Sequence, residues 1–163
     1  MSSSAVNAYR VKDIDGAWPS VVFMIRTALR EGHGEYTPDS ILTSLKNGEL
    51  TLWIAPDETG RILGIAVLRI AVYSEYKVAF VTLSAGSQMG RWLHNLTSVL
   101  EPYAISLGCR EMRVSGRKGW ERALKDQGWS FRSVVVGKVL ERREASRPDD
   151  GERQWATTAA PNT

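Results

Sequence analysis

Apolar residues recur along this chain with the two spacings that distinguish strands from helices. Residues 50–54 alternate apolar with other side chains, which is the pattern of a strand with one buried face. Farther on, Leu93, Leu96 and Leu100 follow one another at spacings of three and four, which is the pattern of one apolar stripe on a helix. The chain therefore mixes both kinds of element, and their order indicates the fold class.

Extended along the whole chain, these patterns predict the element order β-α-α-β-β-β-α-β-α-β. The predicted strands cover residues 8–11, two segments of 49–73 joined by a turn at 56–60, then 76–84, 110–115 and 129–140. The predicted helices cover residues 18–29, 36–48, 91–107 and 116–128. A strand, a helix and another strand in the C-terminal half imply at least one parallel pair joined by a crossover connection.

Capping residues mark the ends of the first two helices. Asp15 is the predicted N-cap of the first helix, and Pro19 then falls in the first turn, where a missing N–H costs little. Thr37 is the predicted N-cap of the second helix, with Pro38 at its first position. Gly48 is predicted to end that helix.

Length and composition are those of one globular domain in a chain of 163 residues. The single cysteine, Cys109, allows no internal disulfide, which suits a reducing compartment and predicts a cytoplasmic location. We expect no membrane partner, since no apolar run has the length of a signal-peptide core or a membrane span. We expect no metal, since one cysteine and two distant histidines match no ligand spacing. The net charge of +3 is modest, so nucleic-acid binding is disfavoured.

The stretch TLSAGSQMGRWLHNL, residues 82–96, carries the strongest indication of a binding site. It runs from the end of an apolar strand through two glycines into a helix. The first N–H groups of a helix have no partners within the helix and favour an anion, and glycines allow a ligand to approach the backbone closely. The stretch therefore indicates a phosphate site, although sharp chain reversal alone would also explain its glycines.

From residue 8 to residue 140 the order and lengths of the elements resemble the GNAT superfamily of acyl-CoA-dependent N-acyltransferases. The most specific segments are KVAFVTLSAG, SQMGRWLHNLTSVLEPYAISLGCREMRVS and GWERALKDQGWSFRSVVVGKVL. The resemblance implies an α+β or α/β fold of three layers, with a mixed central sheet of about six or seven strands and helices on both faces. It implies acetyl-CoA as cofactor and an amine as acceptor. The ending GRKGWERALKDQGW is also similar to small GNAT-like proteins of tailed bacteriophages.

Residues 141–163 lack periodicity and are predicted to form a disordered tail.

In that family, the turn after the fourth strand binds the pyrophosphate and the end of the strand binds the pantetheine arm. The resemblance assigns cofactor binding to Leu83, Ser84, Ala85, Gly86, Ser87, Gln88, Met89, Gly90 and Arg91. This chain departs from the family pattern Gln/Arg-x-x-Gly-x-Gly/Ala. With Gly90 placed on the last glycine, Ala85 stands at the Gln/Arg position and Gln88 at the middle glycine. The side chain of Gln88 narrows the space for a pyrophosphate but leaves the backbone N–H groups of the turn in place.

A second departure concerns proton transfer to the departing thiolate. Many members of the family have a tyrosine four residues before the glycine that ends the last helix. Counting back from Gly128 gives Leu124, which cannot donate a proton. A general acid contributes on the order of a hundredfold to ten-thousandfold in rate, so its loss counts against efficient catalysis.

Candidates for the base that accepts a proton from the amine are few. Glu35 lies in the loop between the first two helices, Glu75 precedes the fourth strand and Ser84 ends it. His33, in the same loop as Glu35, has a side chain that titrates near neutral pH. Each has a plainer interpretation, since a loop histidine is usually solvated and Glu35 suits the first turn of the following helix.

Two functions from different classes therefore stay open. The first is an acetyl-CoA-dependent N-acyltransferase. The second is a GNAT-fold protein without catalysis, acting as a component of a phage particle or binding a phage or host protein in a bacterial cell. The fold favours the first, whereas Gln88 and Leu124 favour the second, and fold alone does not decide function.

Overall fold

The computed structural model describes residues 7–32, 34–116 and 119–141. The described residues divide into two units, the first ending at Trp129 and the second beginning at Ser130. The first unit contains the strands β1 (Tyr9–Arg10), β2 (Leu50–Pro56), β3 (Ile62–Val72), β4 (Lys77–Gly86) and β5 (Cys109–Val114). It also contains the helices α1 (Ile14–Leu29), α2 (Pro38–Lys46), α3 (Met89–Ser106) and α4 (Gly119–Leu124), followed by a 3₁₀ turn, Lys125–Gln127.

The five strands form one mixed sheet in the order β1-β2-β3-β4-β5. The first three pairings are antiparallel, and β4 pairs with β5 in parallel. The parallel pair is joined through α3, as the strand-helix-strand order predicts. This mixed sheet with helices on both faces confirms the predicted fold class, although the described residues supply five strands and not six or seven.

Each face of the sheet carries its own core, because both faces are covered by helices. One core, the α1-side core, comprises Val11, Val21, Ile25, Ile41, Leu45, Leu50, Leu52, Ile54, Ile65, Val67 and Leu83. The other, the α3-side core, comprises Ala8, Trp53, Ala55, Leu63, Ala66, Leu68, Ala79, Val81, Trp92, Leu93, Leu96, Leu100, Ala104 and Leu124. Strands buried on both faces explain the nearly continuous apolar run of β3.

The second helix forms as its sequence predicts, and the first begins earlier. Thr37 caps α2 in a capping box with Ser40. The cap of α1, however, is Asp13 and not the predicted Asp15, since a carboxylate oxygen of Asp13 accepts the N–H of Gly16 at 3.1 Å. Pro19 therefore lies inside α1 beyond its first turn.

The strand predicted over residues 129–140 is wrong for this structure, since residues 129–141 lie in no helix or strand. The side chains of Val135, Val136 and Val139 are 87–91% exposed. Their β-branched shapes favour a strand only where a neighbouring strand supplies backbone partners and a packing surface. The predicted tail lies, apart from Glu141, outside the described residues. In the part of the chain that the structure describes, no helix is both long and apolar enough to cross a membrane.

Trp129 provides a first test of the α3-side core. Its half-buried ring packs against that core and lines a small cavity with Trp120 and Leu124. We expect Trp129→Ala to lower the free energy of unfolding by about 3 kcal/mol, the low end of the range for emptying a large aromatic site. Urea denaturation measures this loss. Phe131→Ala is the matched control, since that ring is 61% exposed and its removal should change little. Equal small losses in both variants would contradict the packing of Trp129.

Candidate functional site

Among the described residues, the second half of β4 has no strand partner on the side where its first half pairs with β5. Pairing between the two strands stops at Val81 and Val114, although β4 continues to Gly86. A bulge occurs at the same place: Leu68 pairs with Val81 and Val67 with Leu83, so Thr82 is an extra residue on β4. Val81 then faces the α3-side core and Leu83 the α1-side core. The bulge therefore reverses the faces of β4. Because β5 ends at Val114, backbone groups of the last residues of β4 have no strand partner on that side among the described residues.

Trp92 fixes the shape of the turn that follows β4. Its ring is only 2% exposed, and its indole N–H donates to the carbonyl of Ser87 at 3.0 Å. The ring lies so close to two glycines that a Cβ on Gly64 would stand 2.2 Å from it and one on Gly86 2.9 Å. A Cβ on Gly86 would also come within 2.3 Å of the carbonyl oxygen of Leu63. The packing of the turn therefore requires glycine at both positions.

Gly90 differs from these two glycines, because nothing in the fold requires it. A Cβ there would meet no atom within 4 Å, and its backbone φ is not in the left-handed region. It is the second residue of α3, at the exposed start of the helix. Among the described residues, the N–H groups of Gln88, Met89 and Gly90 have no acceptor. The absence of a side chain at Gly90 thus keeps open the approach to three free donors.

The remaining N–H groups of the turn are already engaged. Ser87 donates to the carbonyl of Leu63 at 3.1 Å, and Arg91 donates to the carbonyl of Gln88 at 2.8 Å. The guanidinium of Arg91 also donates to the side-chain oxygen of Gln88 at 3.0 Å. Of the N–H groups of residues 87–91, those of Gln88, Met89 and Gly90 are therefore the free ones, with the charge of Arg91 held beside them.

Gln88 adopts the left-handed conformation, with φ 57°, as the N-cap of α3. It is the only described non-glycine residue with positive φ. This conformation is sterically unfavourable for glutamine and not for glycine, so the glycine of the pattern Gln/Arg-x-x-Gly-x-Gly/Ala would fit this backbone without strain. The glutamine keeps the backbone path of the turn and adds a side chain that binds Arg91.

The structure does not bring the three predicted catalytic residues together. The hydroxyl of Ser84 donates to the carbonyl of Ile65 at 2.9 Å and is therefore occupied. Glu75 precedes the first residue of β4, whereas Ser84 lies near its end, and a ten-residue strand is about 33 Å long. Glu35 is exposed in the loop before α2. His33 lies outside the described residues.

A small apolar cavity lies between the last paired residues of β4 and β5 and the helices α3 and α4. Its volume is about 20 Å³, and its lining includes Val81, Ser84, Val114, Trp120 and Leu124. Leu124 is 3% exposed and belongs to the α3-side core, so its side chain serves packing. A volume sufficient for about one water is far below that of a ligand pocket. An acyl-pantetheine arm can enter this gap only if lining side chains move apart.

Sequence reasoning missed a charged network that links β5 to the residues before β4. Arg113 donates to the carboxylate of Glu111 at 3.0 Å and to the hydroxyl of Tyr76 at 3.3 Å. The hydrogen bond to Glu111, followed by that to Tyr76, raises the pKa of Arg113. The guanidinium also lies 5.8 Å from the ring centre of Tyr73. The alternation of charged residues in REMRVS was the available signal, since Glu111 and Arg113 share one face of a strand.

Neither metal binding nor cysteine chemistry is indicated in the described residues. No three of their His, Cys, Asp or Glu side chains are grouped as metal ligands would be. Burial raises the pKa of the Cys109 thiol, although the nearby charge of Lys77 acts in the opposite direction. A raised pKa keeps the thiol protonated and weakly nucleophilic, as expected of a cysteine that packs as a small apolar residue.

Comparisons with known proteins agree with this geometry. Neither a protein-family model nor a curated protein sequence matches the chain. Among solved structures, glucosamine-6-phosphate N-acetyltransferase from Arabidopsis thaliana has a TM-score of 0.63 and 12% identity, covering 83% of this chain and 98% of that one. An aminoglycoside N-acetyltransferase in complex with CoA has a TM-score of 0.61 and 15% identity, covering 85% of this chain and 95% of that one.

A third similar structure is an aminoglycoside acetyltransferase from an uncultured soil metagenomic sample, in complex with sisomicin. Its TM-score is 0.60 at 15% identity, and the match covers 84% of this chain and 96% of that one. At such identities the likeness concerns the fold and not the substrate. The mixed sheet, the free end of β4 and these likenesses together show that the chain has the GNAT fold, the fold of these acetyltransferases.

Proposed function

We propose that the protein is an acyl-CoA-dependent N-acyltransferase whose α3 N-terminus binds the pyrophosphate of the cofactor. The observation that carries this proposal is the start of α3. Within the part of the chain that the structure describes, the N–H groups of Gln88, Met89 and Gly90 are free there, and Gly90 is a glycine that the fold does not need. Close approach of a ligand to the backbone gives that glycine a reason, and a helix N-terminus favours an anion.

The charges around this helix end support an anionic ligand. The first turn of α3 contains no acidic residue, whereas α1 and α2 carry Asp15 and Asp39 there. Arg91 adds a positive charge at the same place. Two solved structures of the same fold are compatible with the proposed substrates, since one holds CoA and another holds the aminoglycoside sisomicin.

The proposed reaction joins the acyl group to an amine. The lone pair of a neutral amine nitrogen attacks the thioester carbonyl carbon, and the C–N bond forms as the C–S bond breaks. The electron pair of the C–S bond goes to sulfur, giving the CoA thiolate. The nitrogen loses one proton to a base or to water, and the thiolate gains one from water, because Leu124 has no proton to give.

The roles of individual residues follow from their places. The backbone from Leu83 to Ala85, on the free end of β4, would line the pantetheine arm, and residues 86–91 would surround the pyrophosphate. Ser84 contributes its backbone, since its hydroxyl is engaged with Ile65. Glu75 is the less suitable candidate base, because it precedes the start of β4 and the free end of that strand lies at Gly86. Glu35, exposed in the loop before α2, is the other carboxylate candidate. An enzyme of this kind would act in the cytoplasm, where acyl-CoA is formed.

A protein of this fold that binds partners without catalysis is the second candidate. Leu124 in place of a proton donor and a gap of only about 20 Å³ favour it. Under this interpretation the chain would be a component of a phage particle or would bind a host protein, and its turn would bind no cofactor. The two candidates differ in one measurable property, which is use of acyl-CoA.

A thiol-release assay tests the proposed function. The protein is incubated with acetyl-CoA and hydroxylamine, a small amine that needs no acceptor pocket, and separately with an aminoglycoside such as sisomicin. We expect protein-dependent release of free CoA thiol and a product heavier by one acetyl group in mass spectrometry. If CoA release equals that of heat-denatured protein with every amine, the proposal is wrong and the non-catalytic candidate takes its place.

A further inference from the structure

A second cavity lies at the edge of the sheet where β1 ends. Its volume is about 230 Å³, against about 20 Å³ for the gap between β4 and β5. It lies beside the first residues of β2, because β1 pairs only with Trp53 and Ile54 and the chain then continues into α1. Since pockets for drug-sized molecules begin at about 300 Å³, this volume suits a smaller ligand.

Apolar side chains form most of the lining of this cavity. They are Val11, Ile14, Leu45, Leu50 and Leu52. All except Ile14 are at most 7% exposed and belong to the α1-side core, so the packing of that core fixes the shape of the cavity. Such a lining favours a ligand with a hydrocarbon part over a bare inorganic ion.

The other three lining residues, Arg10, Lys12 and Thr51, each offer a hydrogen-bond donor. Neither Arg10 nor Lys12 forms an ion pair within the described ranges. The guanidinium of Arg10 lies 5.6 Å from the ring centre of Tyr103, a stacking contact that leaves the N–H groups in its plane available. Thr51 Oγ1 accepts the indole N–H of Trp53 at 2.8 Å, so its own proton points away from that indole.

The backbone of β2 adds a fourth donor. The carbonyl of Leu52 accepts the N–H of Val11 at 2.8 Å, so the backbone groups of Leu52 face the β1 side. Residues two apart in a strand face the same side, and no residue of β1 pairs with Leu50. In the part of the chain that the structure describes, the N–H of Leu50 has no acceptor.

None of the described residues that line the cavity is acidic. The two acids that follow Lys12 in the sequence have other partners. A carboxylate oxygen of Asp13 accepts the N–H of Gly16 at 3.1 Å, and Asp15 forms an ion pair with Lys46 at 3.2 Å. Two cations without a carboxylate among the lining residues give the cavity a positive potential, which favours an anion.

We propose that this cavity binds a small organic acid, a carboxylate on a short apolar chain. The carboxylate accepts hydrogen bonds from Arg10, Lys12 and the N–H of Leu50, and the chain packs against the apolar lining. In the sheet order, β3 separates β2 from β4, so this site is distinct from the start of α3 and the inference does not rest on the proposed function.

Three probes of equal chain length test the proposal, namely hexanoate, hexanol and hexylammonium. Each is titrated into the full chain while the backbone amide signals are followed by NMR spectroscopy. We expect hexanoate to shift the amide signal of Leu50 to saturation at millimolar concentration. Hexanol should bind about tenfold more weakly, because it lacks the charge that strengthens the hydrogen bonds, and hexylammonium should not bind.

Lys12→Gln removes one of the two cations and should weaken hexanoate binding about tenfold, the effect of losing one hydrogen bond to a charged group. Its binding of hexanol should not change. Lys125→Gln is the matched control, since it makes the same change at an exposed residue that does not line the cavity. It should bind hexanoate within about twofold of the wild type, because salt screens a distant surface charge. Both variants should keep the melting temperature.

Four results would overturn the inference. The first is the absence of a saturable shift of the Leu50 amide, and the second is equal affinity for the three probes. The third is equal weakening of hexanoate binding by Lys12→Gln and Lys125→Gln. The fourth is a shift of the Leu50 amide with protein concentration alone, which would show a second copy of the chain at this edge.

Discussion

Replacing Gly90 with valine is expected to abolish acetyl-CoA binding while the protein stays folded. A Cβ at this position meets no protein atom within 4 Å, so the fold tolerates it. The two methyl groups of valine would instead occupy the space through which a pyrophosphate reaches the free N–H groups of Gln88, Met89 and Gly90. Titration calorimetry measures the loss of binding, and circular dichroism checks that the melting temperature is maintained.

Gly90→Ala tests whether acetyl-CoA binding falls with the size of the side chain at position 90 or with any replacement of the glycine. Its single methyl group should weaken acetyl-CoA binding less than valine does, because it extends less far into the approach path. In the absence of ligand, alanine should be neutral or slightly stabilising at this helical position. If Gly90→Val bound acetyl-CoA as tightly as the wild type, the cofactor could not lie over the start of α3.

Gly64→Ala is expected to be strongly destabilising. The added Cβ would stand 2.2 Å from the indole of Trp92. That side chain is only 2% exposed and cannot move without disturbing α3. We expect a loss of about 3 kcal/mol in the free energy of unfolding, the upper part of the range for overpacking a core. Urea denaturation measures it, with Gly90→Ala as the control for a glycine in open space.

A second substitution identifies the cause of that loss. In the double variant Gly64→Ala with Trp92→Leu, the smaller side chain leaves room for the added methyl group. The combined loss should then be clearly less than the sum of the two single losses, because the two positions share one contact. A loss equal to that sum would show that Trp92 is not what makes glycine necessary at position 64.

Local patterns predicted α2 well and α1 less well. The stretch TPDSILTSLK carries a cap, a proline at the first position and a regular apolar spacing, and each forms as its sequence indicates. At α1, Asp13 and Asp15 have the same capping chemistry two residues apart. The choice between them depends on how the chain leaves β1, which a local pattern does not contain.

The strand expected at residues 129–140 shows the limit of β-propensity. Its valines favour extended backbone, yet a strand exists only where another strand supplies its hydrogen bonds. The same kind of non-local partner explains why β4 could be predicted and its bulge could not. The bulge at Thr82 depends on register against β3 and β5, which nothing in VAFVTLS specifies.

The candidate site could be predicted in place but not in detail. The strand-to-helix turn and its two glycines were visible in the sequence. Their different roles were not, since only packing shows that Trp92 requires Gly86 and that nothing requires Gly90. The engagement of Ser84 with Ile65 and of Arg91 with Gln88 likewise depends on contacts between side chains and backbone in the folded chain.

Titration calorimetry of the unmodified protein with acetyl-CoA and with free CoA tests the central claim most directly. If the start of α3 binds the pyrophosphate, both ligands make the same contacts with its free N–H groups, and both should bind at one site. The dissociation constants should lie below about 1 mM, within the usual range for enzyme substrates. Pyrophosphate alone should compete with both. An absence of heat and of any thermal shift at millimolar acetyl-CoA would contradict the claim, and the glycines of SAGSQMGR would then be explained by the shape of the turn.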